Sequence, residues 1–425
     1  MRIVESANRR AVASLLDWRP GRDSVLERQV ARIVERVRTD GDAALLKYAR
    51  VLDGLDGSIE VTTAEIEAGA ARVPAAVKSA VRIAARRIAR VARRQLPRAW
   101  SVFPAPGVEI AQRVVPLDRV GCYVPGGRHP LPSSLLMTAI PPRVAGVSEV
   151  IAVCPRPEPV VMLAALEAGV TRLFRLGGAH AIAALAYGTR SVPRVDKIVG
   201  PGNAWVAAAK ARVAAECAID FFAGPSEIAI VSRDGRPAWI AADLIAQAEH
   251  DPDARAILIT PSRRLATAVA RQIRQQMPED GPARAALVQN GGIVITQTLD
   301  EAIVFAQRMA PEHLVCDSPA MAARLTRAGT VFVGAYSAQA SGDYVTGSNH
   351  VLPTMGAAAA RGGLSAADFV RVTTVQRLSE AGFRRIAPAG IVLAEAEGLS
   401  AHAASMRIRL NGTQTGRRRT GRRTR

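Results

Sequence analysis

Short β-branched and aliphatic segments alternate with helical segments from Val120 onward, and this rhythm restricts the possible folds more than any other feature. The pattern predicts strands at 120–124, 149–154, 172–176, 197–199, 227–231, 256–260, 292–296, 314–316 and 330–333. Strands separated by helices are typical of parallel sheets with helices on both faces. Because the strands form two groups, before and after about Ser226, the sequence predicts two doubly wound α/β domains.

Helical segments dominate the two ends of the chain. Residues 25–37 and 43–51 have helical apolar spacing, and Pro74 precedes a long amphipathic helix. The residues beyond about 370 show helical spacing again. We therefore expect small helical units at the ends of the chain, outside the two sheets.

Composition places the chain among globular proteins without a membrane span. Apolar residues make up 49% of its 425 residues, enough for the cores of two domains. No apolar run reaches the roughly 18 residues of a membrane helix, and the first ten residues lack the apolar core of a secretion signal. The spacing of Cys122, Cys154, Cys217 and Cys316 excludes a zinc ribbon and predicts buried, reduced thiols. We therefore expect a cytoplasmic protein.

The formal net charge of +19 raises the question of a nucleic-acid partner. Six positive charges lie in residues 416–425, and six more lie along 82–94. The tail lacks apolar residues, which predicts disorder. Because no aromatic residues are interleaved with these charges, we expect no specific nucleic-acid partner. A non-enzymatic protein that binds RNA or an anionic surface is the alternative class.

Several metal ligands and proton acceptors stand at informative spacings. Gln247 and His250 are three residues apart on a helix predicted at 239–250, so both side chains share one face. Two ligands do not hold zinc, so further ligands must come from elsewhere. Asp343, in a Gly-rich loop, and His402, on or near a late helix, are the candidates. Taken alone, the Gln-x-x-His pattern also fits a helix-capping histidine.

Glu312 and His313 follow Pro311 and precede a predicted strand. Two titratable groups at a loop-to-strand junction are well placed for acid–base catalysis. The alternative is an exposed pair at the start of a strand. The dipeptide alone does not separate the two interpretations.

Three Gly-rich turns lie between strands and helices, at 121–127, 177–178 and 200–203. The N-terminus of a helix after such a turn can bind a phosphate. A full G-x-G-x-x-G motif with an acidic residue some 20 positions later is absent. The turns therefore fit a nucleotide site and simple tight turns equally well.

Six motifs follow one another in the chain. They are Gly-Cys-Tyr-Val-Pro-Gly-Gly (121–127), Val-Asp-Lys-Ile-Val-Gly-Pro-Gly-Asn (195–203), Ala-Gly-Pro-Ser-Glu (223–227), Gln-Ala-Glu-His (247–250), Ala-Pro-Glu-His-Leu (310–314), and Gly-Asp-Tyr (342–344) with Asn-His-Val-Leu-Pro-Thr (349–354). In this order they resemble the motifs of the histidinol dehydrogenase family, and the resemblance runs from about Gly41 to His402. The resemblance implies a zinc- and NAD-dependent, four-electron oxidation of an amino alcohol to the acid, L-histidinol to L-histidine. It also implies an intertwined homodimer with shared active sites and two incomplete Rossmann-like domains in each subunit.

The same resemblance implies roles for individual residues. One zinc ion per subunit would be bound by Gln247, His250 and Asp343 of one subunit and His402 of the other. The substrate would contact these four ligands together with Ser226, His313, His350 and Glu397. The cofactor would lie near Tyr123, His180 and Asn203. Of the two catalytic residues, His313 would accept the hydroxyl proton and Glu312 would activate water.

The predicted domain boundaries combine the pattern with the resemblance. We expect an N-terminal arm at 1–19, a first Rossmann-like domain from 20–118 and 228–370, and a second from 119–227. A C-terminal helical dimerisation unit would cover 371–415, followed by the disordered basic tail at 416–425.

Two positions depart from the pattern of the family. His180 stands where family members usually carry Gln, and Ala338-Gln339 stands where they usually carry Pro-Glu. Loss of a carboxylate near the site would weaken recognition of a cationic substrate. A paralogous enzyme with the same chemistry on another alcohol, such as a sulfonated diol, is therefore the alternative.

Overall fold

The structure is a computed structural model that describes residues 1–17, 21, 23–126, 130–222 and 224–411. The predicted basic tail lies outside these residues. The chain divides into two units, each built from two segments. The first unit is Met1–Leu96 with Pro116–Phe369, and the second is Pro97–Val115 with Val370–Arg425.

The strands and helices alternate along most of the chain. In order, the strands are β1 (Arg2–Glu5), β2 (Glu60–Val61), β3 (Trp100–Ala105), β4 (Val108–Pro116), β5 (Arg119–Tyr123), β6 (Glu149–Val153), β7 (Arg172–Phe174), β8 (Lys197–Val199), β9 (Ala218–Ile219), β10 (Glu227–Val231), β11 (Arg255–Thr260), β12 (Gly292–Ile295), β13 (His313–Cys316), β14 (Thr330–Val333) and β15 (Val370–Leu378). The α-helices are α1 (Arg9–Leu16), α2 (Ser24–Asp40), α3 (Asp42–Tyr48), α4 (Thr63–Ala71), α5 (Ala75–Gln95), α6 (Pro132–Ala145), α7 (Pro159–Ala168), α8 (Gly178–Tyr187), α9 (Ala204–Val213), α10 (Pro237–Ala248), α11 (Arg263–Gln276), α12 (Ala283–Gln289), α13 (Leu299–Met309), α14 (Pro319–Ala322), α15 (Gln339–Tyr344), α16 (Glu380–Ala396) and α17 (Ser400–Asn411). A π-helical turn (Ala49–Asp53) follows α3, and 3₁₀ turns lie at Ala357–Ala359 and Ala366–Phe369.

Two six-stranded sheets form the first unit. Sheet A has the order β1-β12-β11-β10-β13-β14, and sheet B has the order β2-β7-β6-β5-β8-β9. All neighbouring strands run parallel except β2, which is antiparallel to β7. In each sheet the chain adds strands on one side of the first central strand and then on its other side. Both halves therefore have the five-strand order of an incomplete Rossmann-like domain with one additional edge strand, which confirms the predicted fold class.

Helices cover both faces of sheet A. On β11, Leu258 packs with Leu244 of α10, whereas the adjacent Ile257 packs with Ile303 of α13. Neighbouring residues of a strand point to opposite faces, so the uninterrupted apolar run of β11 is needed to fill two cores. This arrangement is the doubly wound architecture that the sequence predicts.

The N-terminal helices α2 and α3 pack with a different half of the first unit from the one that the sequence analysis assigned to them. Val34 of α2 and Leu45 of α3 share a core with Phe174 and Ile182 of the sheet B half, whereas the sequence analysis grouped 20–118 with 228–370. The predicted arm contributes β1, the edge strand of sheet A. An apolar stripe shows that a helix has a buried face, but the partner of that face depends on tertiary packing.

The second unit has a small sheet and two helices. Strands β3 and β4 form an antiparallel hairpin that turns at Gly107, whose φ of 81° favours glycine. Strand β15 lies beside β4, although the sequence analysis placed 97–118 in the first domain and expected only helices beyond 370. Helices α16 and α17 pack together around Ile391, Ala394 and Ala403.

Two expectations from composition concern the cysteines and the membrane. All four cysteines are free and buried, as the sequence predicts. Within the described ranges, no helix is both long and apolar enough to cross a membrane.

Candidate active site

The amino ends of β10 and β13 bring Ser226, a predicted substrate contact, beside the predicted catalytic pair Glu312 and His313. The two strands are parallel neighbours, with Ile228 opposite His313. Ser226 immediately precedes β10, and Glu312 immediately precedes β13. The site therefore lies at the N-terminal edge of sheet A.

A chain of hydrogen bonds links Gln247 to Glu312. The Nε2 of Gln247 donates to Ser226 Oγ at 2.5 Å, and that hydroxyl donates to Glu312 Oε2 at 2.6 Å. The backbone N–H of Glu227 donates to the same carboxylate oxygen at 2.8 Å. Gln247, on the last turn of α10, is fully buried. The structure thus joins a predicted metal ligand to a predicted catalytic carboxylate through one serine.

Glu312 and His313 are both buried, with 7% and 3% of their surfaces exposed. The interpretation as an exposed pair is therefore wrong. Burial raises the pKa of the Glu312 carboxyl to about 8, although the hydrogen bonds from Ser226 and Glu227 favour its ionised form.

His313 is held as a neutral imidazole with one nitrogen available. Burial lowers its pKa to about 4, although Asp343 acts in the opposite direction. Its Nδ1 lies 3.3 Å from the carbonyl oxygen of Glu227, which can only accept, so Nδ1 carries the proton. Its Nε2 lies 3.8 Å from Asp343 Oδ1. The unprotonated nitrogen therefore faces the group of predicted ligands.

Asp343 lies on the short helix α15, whereas the sequence analysis placed it in a loop. The helix buries the carboxylate against Gln339, whose Nε2 donates to Asp343 Oδ2 at 2.7 Å. His350 Nδ1 donates to the backbone oxygen of Asp343 at 3.0 Å, and its Nε2 lies 3.5 Å from Ser134 Oγ. Burial lowers the pKa of His350. The two histidines therefore flank one carboxylate.

His250 lies just beyond the end of α10 at Ala248, so the helix predicted at 239–250 begins and ends two residues too late. Its Nδ1 lies 3.2 Å from the carbonyl oxygens of Ala246 and Gln247. A backbone carbonyl on one ring nitrogen is typical of a histidine whose other nitrogen binds a metal.

The donor set of the first unit fits a zinc ion. Gln247 Oε1 is buried and has no hydrogen-bond partner among the described residues. Together with His250 Nε2 and Asp343 Oδ1 it offers oxygen and nitrogen donors of the kinds that zinc binds. In the part of the chain that the structure describes, no group of three or more His, Cys, Asp or Glu side chains could itself hold a metal. The set of Gln247, His250 and Asp343 is not a group of that kind, because it has only two His, Cys, Asp or Glu members and its third member is a glutamine.

Glu397 and His402 belong to the second unit. Glu397 is the C-cap residue that follows α16, and His402 lies in the first turn of α17. The structure therefore gathers six predicted site residues in the first unit (Ser226, Gln247, Glu312, His313, Asp343 and His350), places His250 beside them, and leaves these two in the other unit.

Two predicted cofactor residues lie at the C-terminal edge of sheet B. Tyr123 ends β5, and its phenol oxygen accepts a hydrogen bond from Gly178 N at 3.1 Å. Burial raises the pKa of Tyr123 to about 12. Asn203 follows β8 and caps α9, with Oδ1 accepting from Trp205 N at 3.1 Å and Val206 N at 3.2 Å. Strand order reverses between β5 and β8, which is where open α/β sheets bind ligands.

Two of the Gly-rich turns already bind carboxylates. Gly177 N donates to Asp53 Oδ2 at 2.9 Å, and Gly200 N donates to Asp220 Oδ2 at 2.7 Å. The backbone N–H groups of Gly177 and Gly200 are therefore satisfied by aspartates within the chain. The turn at 121–127 is described only to residue 126.

Known proteins show the same chain organisation. The family model for histidinol dehydrogenase matches residues 19–410. Histidinol dehydrogenase of Aromatoleum aromaticum is 44% identical over 413 residues, which cover 94% of either chain. The chain belongs to the histidinol dehydrogenase family.

Further comparisons agree with membership in the histidinol dehydrogenase family. The Caulobacter vibrioides protein of that name is 46% identical over 94% of this chain and 96% of its own. The crystal structure of histidinol dehydrogenase from Elizabethkingia anophelis matches with a TM-score of 0.92 at 30% identity, covering 98% of this chain and 99% of that one. The assignment confirms the resemblance and identifies the chain as an oxidoreductase of the histidinol dehydrogenase type.

His180, the first departure from the family pattern, is fully buried. Its Nε2 lies 2.8 Å from Asp53 Oδ2, and its ring stacks on Tyr48 with centroids 6.1 Å apart. Helix α8 directs the ring toward the π-helical turn, and the cofactor contact that the sequence analysis assigned to His180 stays a prediction. His180 holds Asp53, and Asp53 holds the turn at Gly177.

Three residues that sequence reasoning did not assign also belong to the site. Ser134 contacts His350, and Gln339 contacts Asp343. Glu227 is buried and pairs with Arg255 at 2.7 Å, which ties β10 to β11 beside the site. Two of these residues could have been found in the sequence, because Glu227 lies within the motif at 223–227 and Gln339 is the second departure from the family pattern. Nothing in the sequence marked Ser134.

Proposed function

We propose that this chain is a zinc- and NAD-dependent histidinol dehydrogenase that oxidises L-histidinol to L-histidine in histidine biosynthesis. The observation that carries the proposal is the buried, neutral imidazole of His313 beside Glu312, with its free nitrogen toward Asp343. A neutral imidazole is the form that accepts a proton from an alcohol. Family membership supplies the class of substrate.

Zinc would be held by Gln247 Oε1, His250 Nε2 and Asp343 Oδ1, with His402 of a second copy as the fourth ligand. When bound, zinc supplies the positive charge that anchors and orients the substrate. The chain's own contribution is the fixed placement of these donors. Ser226 holds the amide of Gln247, and Gln339 holds the carboxylate of Asp343.

NAD, when bound, accepts hydride from the carbon that is oxidised. Tyr123 and Asn203 would lie beside it at the switch point of sheet B. Support comes from Asn349, whose Nδ2 donates to the carbonyl oxygen of Met137 on α6 at 2.7 Å. Through this bond the loop that carries His350 contacts the helix that follows β5, which supports a cofactor at that edge of sheet B close to His350.

His313 and Glu312 would divide the proton transfers between the two oxidations. In the first, His313 Nε2 accepts the hydroxyl proton as hydride leaves the carbinol carbon, which yields the aldehyde. In the second, Glu312 accepts a proton from the water that adds to the aldehyde. The adduct is then the hydrate anion, because Glu312 holds the proton of the water. Loss of a second hydride from this anion gives the carboxylic acid, which releases one proton to become the carboxylate. Burial raises the pKa of Glu312, which increases its strength as a base once ionised.

A second copy of the chain would complete each site. Among the described residues of the second unit, the apolar cluster between α16 and α17 has three buried members. The same unit exposes Trp100, Phe103, Leu393 and Ile408 by 50%, 65%, 65% and 69%. Large apolar side chains that are exposed together mark interaction surfaces. A homodimer in which this surface is covered would also bring His402 to the partner's site.

The test is NADH formation by purified full-length protein supplied with zinc, NAD and L-histidinol. We expect two NADH for each histidinol consumed and L-histidine as the product. NADP in place of NAD is the control for cofactor choice. A protein that binds zinc and NAD but forms no NADH from histidinol contradicts the assigned substrate.

Gln339 favours one second candidate, the same chemistry on an alcohol without an ammonium group. A neutral amide attracts a cationic substrate less than a carboxylate does. Under this alternative, a sulfonated diol supports NADH formation and histidinol does not. Parallel assays of the two alcohols distinguish the candidates.

A further inference from the structure

Gln339 holds one oxygen of Asp343 in a fixed arrangement. Its side chain is fully buried, and its Nε2 donates to Asp343 Oδ2 at 2.7 Å, one helical turn away on α15. An ionised carboxylate can only accept hydrogen bonds, so the amide nitrogen, not the amide oxygen, must face it. The orientation of both side chains is therefore determined.

The bond from Gln339 leaves a single free oxygen on Asp343. Oδ2 is occupied, and Oδ1 is directed to the histidines, 3.8 Å from His313 Nε2 and 3.9 Å from His350 Nδ1. We propose that Gln339 is a positioning residue that restricts Asp343 to binding the metal through Oδ1 alone. This inference rests on the proposed zinc site.

The chemistry of an amide distinguishes this chain from the usual pattern of the family. A glutamate at this position would need a bound proton to donate the same hydrogen bond, because two ionised carboxylates 2.7 Å apart repel each other. Gln339 donates without a proton and adds no charge. Its own Oε1 has no partner among the described residues. The site therefore keeps an oriented ligand with one negative charge fewer.

Zinc affinity is the direct test, measured on metal-free, full-length protein by competition with a chromophoric chelator. Loss of a hydrogen bond to a metal ligand typically changes metal affinity by about 10–100-fold, and we expect Gln339→Leu to weaken zinc binding within that range. Ser341→Ala is the matched control, because the Ser341 hydroxyl donates to Ala338 O on the same helix and does not contact Asp343. The control should bind zinc as the wild type does.

The outcomes separate this inference from the proposed function. If the wild type binds no zinc, the proposed function fails and the inference fails with it. If the wild type binds zinc and Gln339→Leu binds it equally well, only the inference fails. Equal weakening by Gln339→Leu and Ser341→Ala would show a general effect on α15, which also overturns the inference.

Gln339→Glu provides a second measurement should Gln339→Leu not fold, because the family usually carries Glu at this position. The new carboxyl and Asp343 would share a proton that zinc must displace. At about pH 6 we expect roughly one more proton released per zinc than in the wild type, measured by calorimetry in buffers of different ionisation enthalpy. Equal proton release by the two proteins overturns the inference.

Discussion

Burial determines the protonation of the two catalytic candidates. The pKa of Glu312 rises to about 8 and that of His313 falls to about 4, which reverses the usual order of a carboxyl and an imidazole. Both shifts have burial as their main cause, because a charged form loses solvation inside the protein. A sequence shows which two groups are adjacent but does not show how deeply they are buried.

His313→Gln should lower kcat by about 10²–10⁴-fold, the usual contribution of a positioned proton acceptor. The amide can still donate to the Glu227 carbonyl but cannot accept a proton at neutral pH. Zinc content and melting temperature should match those of the wild type, which separates lost chemistry from lost folding. Turnover within a few-fold of the wild type would contradict the assigned role.

At the scale of secondary-structure elements, buried carboxylates hold the turns at the C-terminal edge of sheet B, where we propose that the cofactor binds. Asp220 is 3% exposed and accepts hydrogen bonds from Gly200 N and Phe221 N, both at 2.7 Å. The ammonium of Lys210 on α9, 2% exposed, pairs with the same carboxylate. The turn after β8 therefore depends on one buried ion pair.

Asp220→Ala should lower the free energy of unfolding by about 3–5 kcal/mol, because it leaves the charge of Lys210 buried without its partner. The double variant Lys210→Met/Asp220→Leu should be more stable than the single one, since it removes both charges. Denaturant titration of the three proteins measures the difference. A double variant as unstable as the single one would contradict the explanation.

The edge strand β2 is attached to β7 by a charged pair with a defined pH dependence. Arg172 donates to both oxygens of Glu60 at 2.7 Å, and these bonds hold the pKa of Glu60 below its usual value of 4.5. The stabilisation of the folded state by the Glu60–Arg172 pair is therefore complete above about pH 4.5. It is lost as the pH falls through the lowered pKa of Glu60.

Glu60→Gln should therefore reduce stability at neutral pH and not in acid. The side chain is partly exposed, so we expect a loss of only about 0.5–1 kcal/mol at pH 7. Denaturant midpoints of both proteins, compared from pH 7 downward, should converge. Arg172→Gln is the matched control and should show the same convergence, whereas a constant difference at all pH values would contradict the pair as its cause.

At the scale of the whole molecule, one active site draws residues from distant parts of the chain. The parallel order of β10 and β13 explains how Ser226 and Glu312 meet, although 86 positions separate them. His402 lies in a different unit, and the proposed dimer would bring it to the partner's site. Dimerisation would then be a condition for activity as well as for stability.

Mixed dimers test the shared site. His250→Asn and His402→Asn should each be inactive alone. In a mixed dimer, one site has both histidines and the other has neither, so random assortment should restore activity to about a quarter of all sites. Measured activity after co-refolding, with subunit exchange confirmed by two affinity tags, gives the result. Mixed dimers without any activity would show that His402 acts within its own subunit.

The sequence by itself determined the elements and the family. The predicted strands at 197–199, 227–231 and 330–333 have the observed bounds, because an apolar run between turns leaves few alternatives for a buried parallel strand. The ordered motifs were sufficient for the family. Boundaries at helix ends were less accurate, as at His250, because the last turn depends on local caps.

Only the tertiary structure decided which elements pack together and which side chains are buried. The apolar stripe of α2 is visible in the sequence, but its contact with the sheet B half is not. The side chains of β3 are mostly exposed and those of β4 are mostly half-buried, so the hairpin lacks the apolar signal of a buried strand. The enclosure of His180, the burial of Glu312 and the bond from Gln339 to Asp343 all depend on neighbours distant in sequence or on helix geometry, which a linear pattern does not contain.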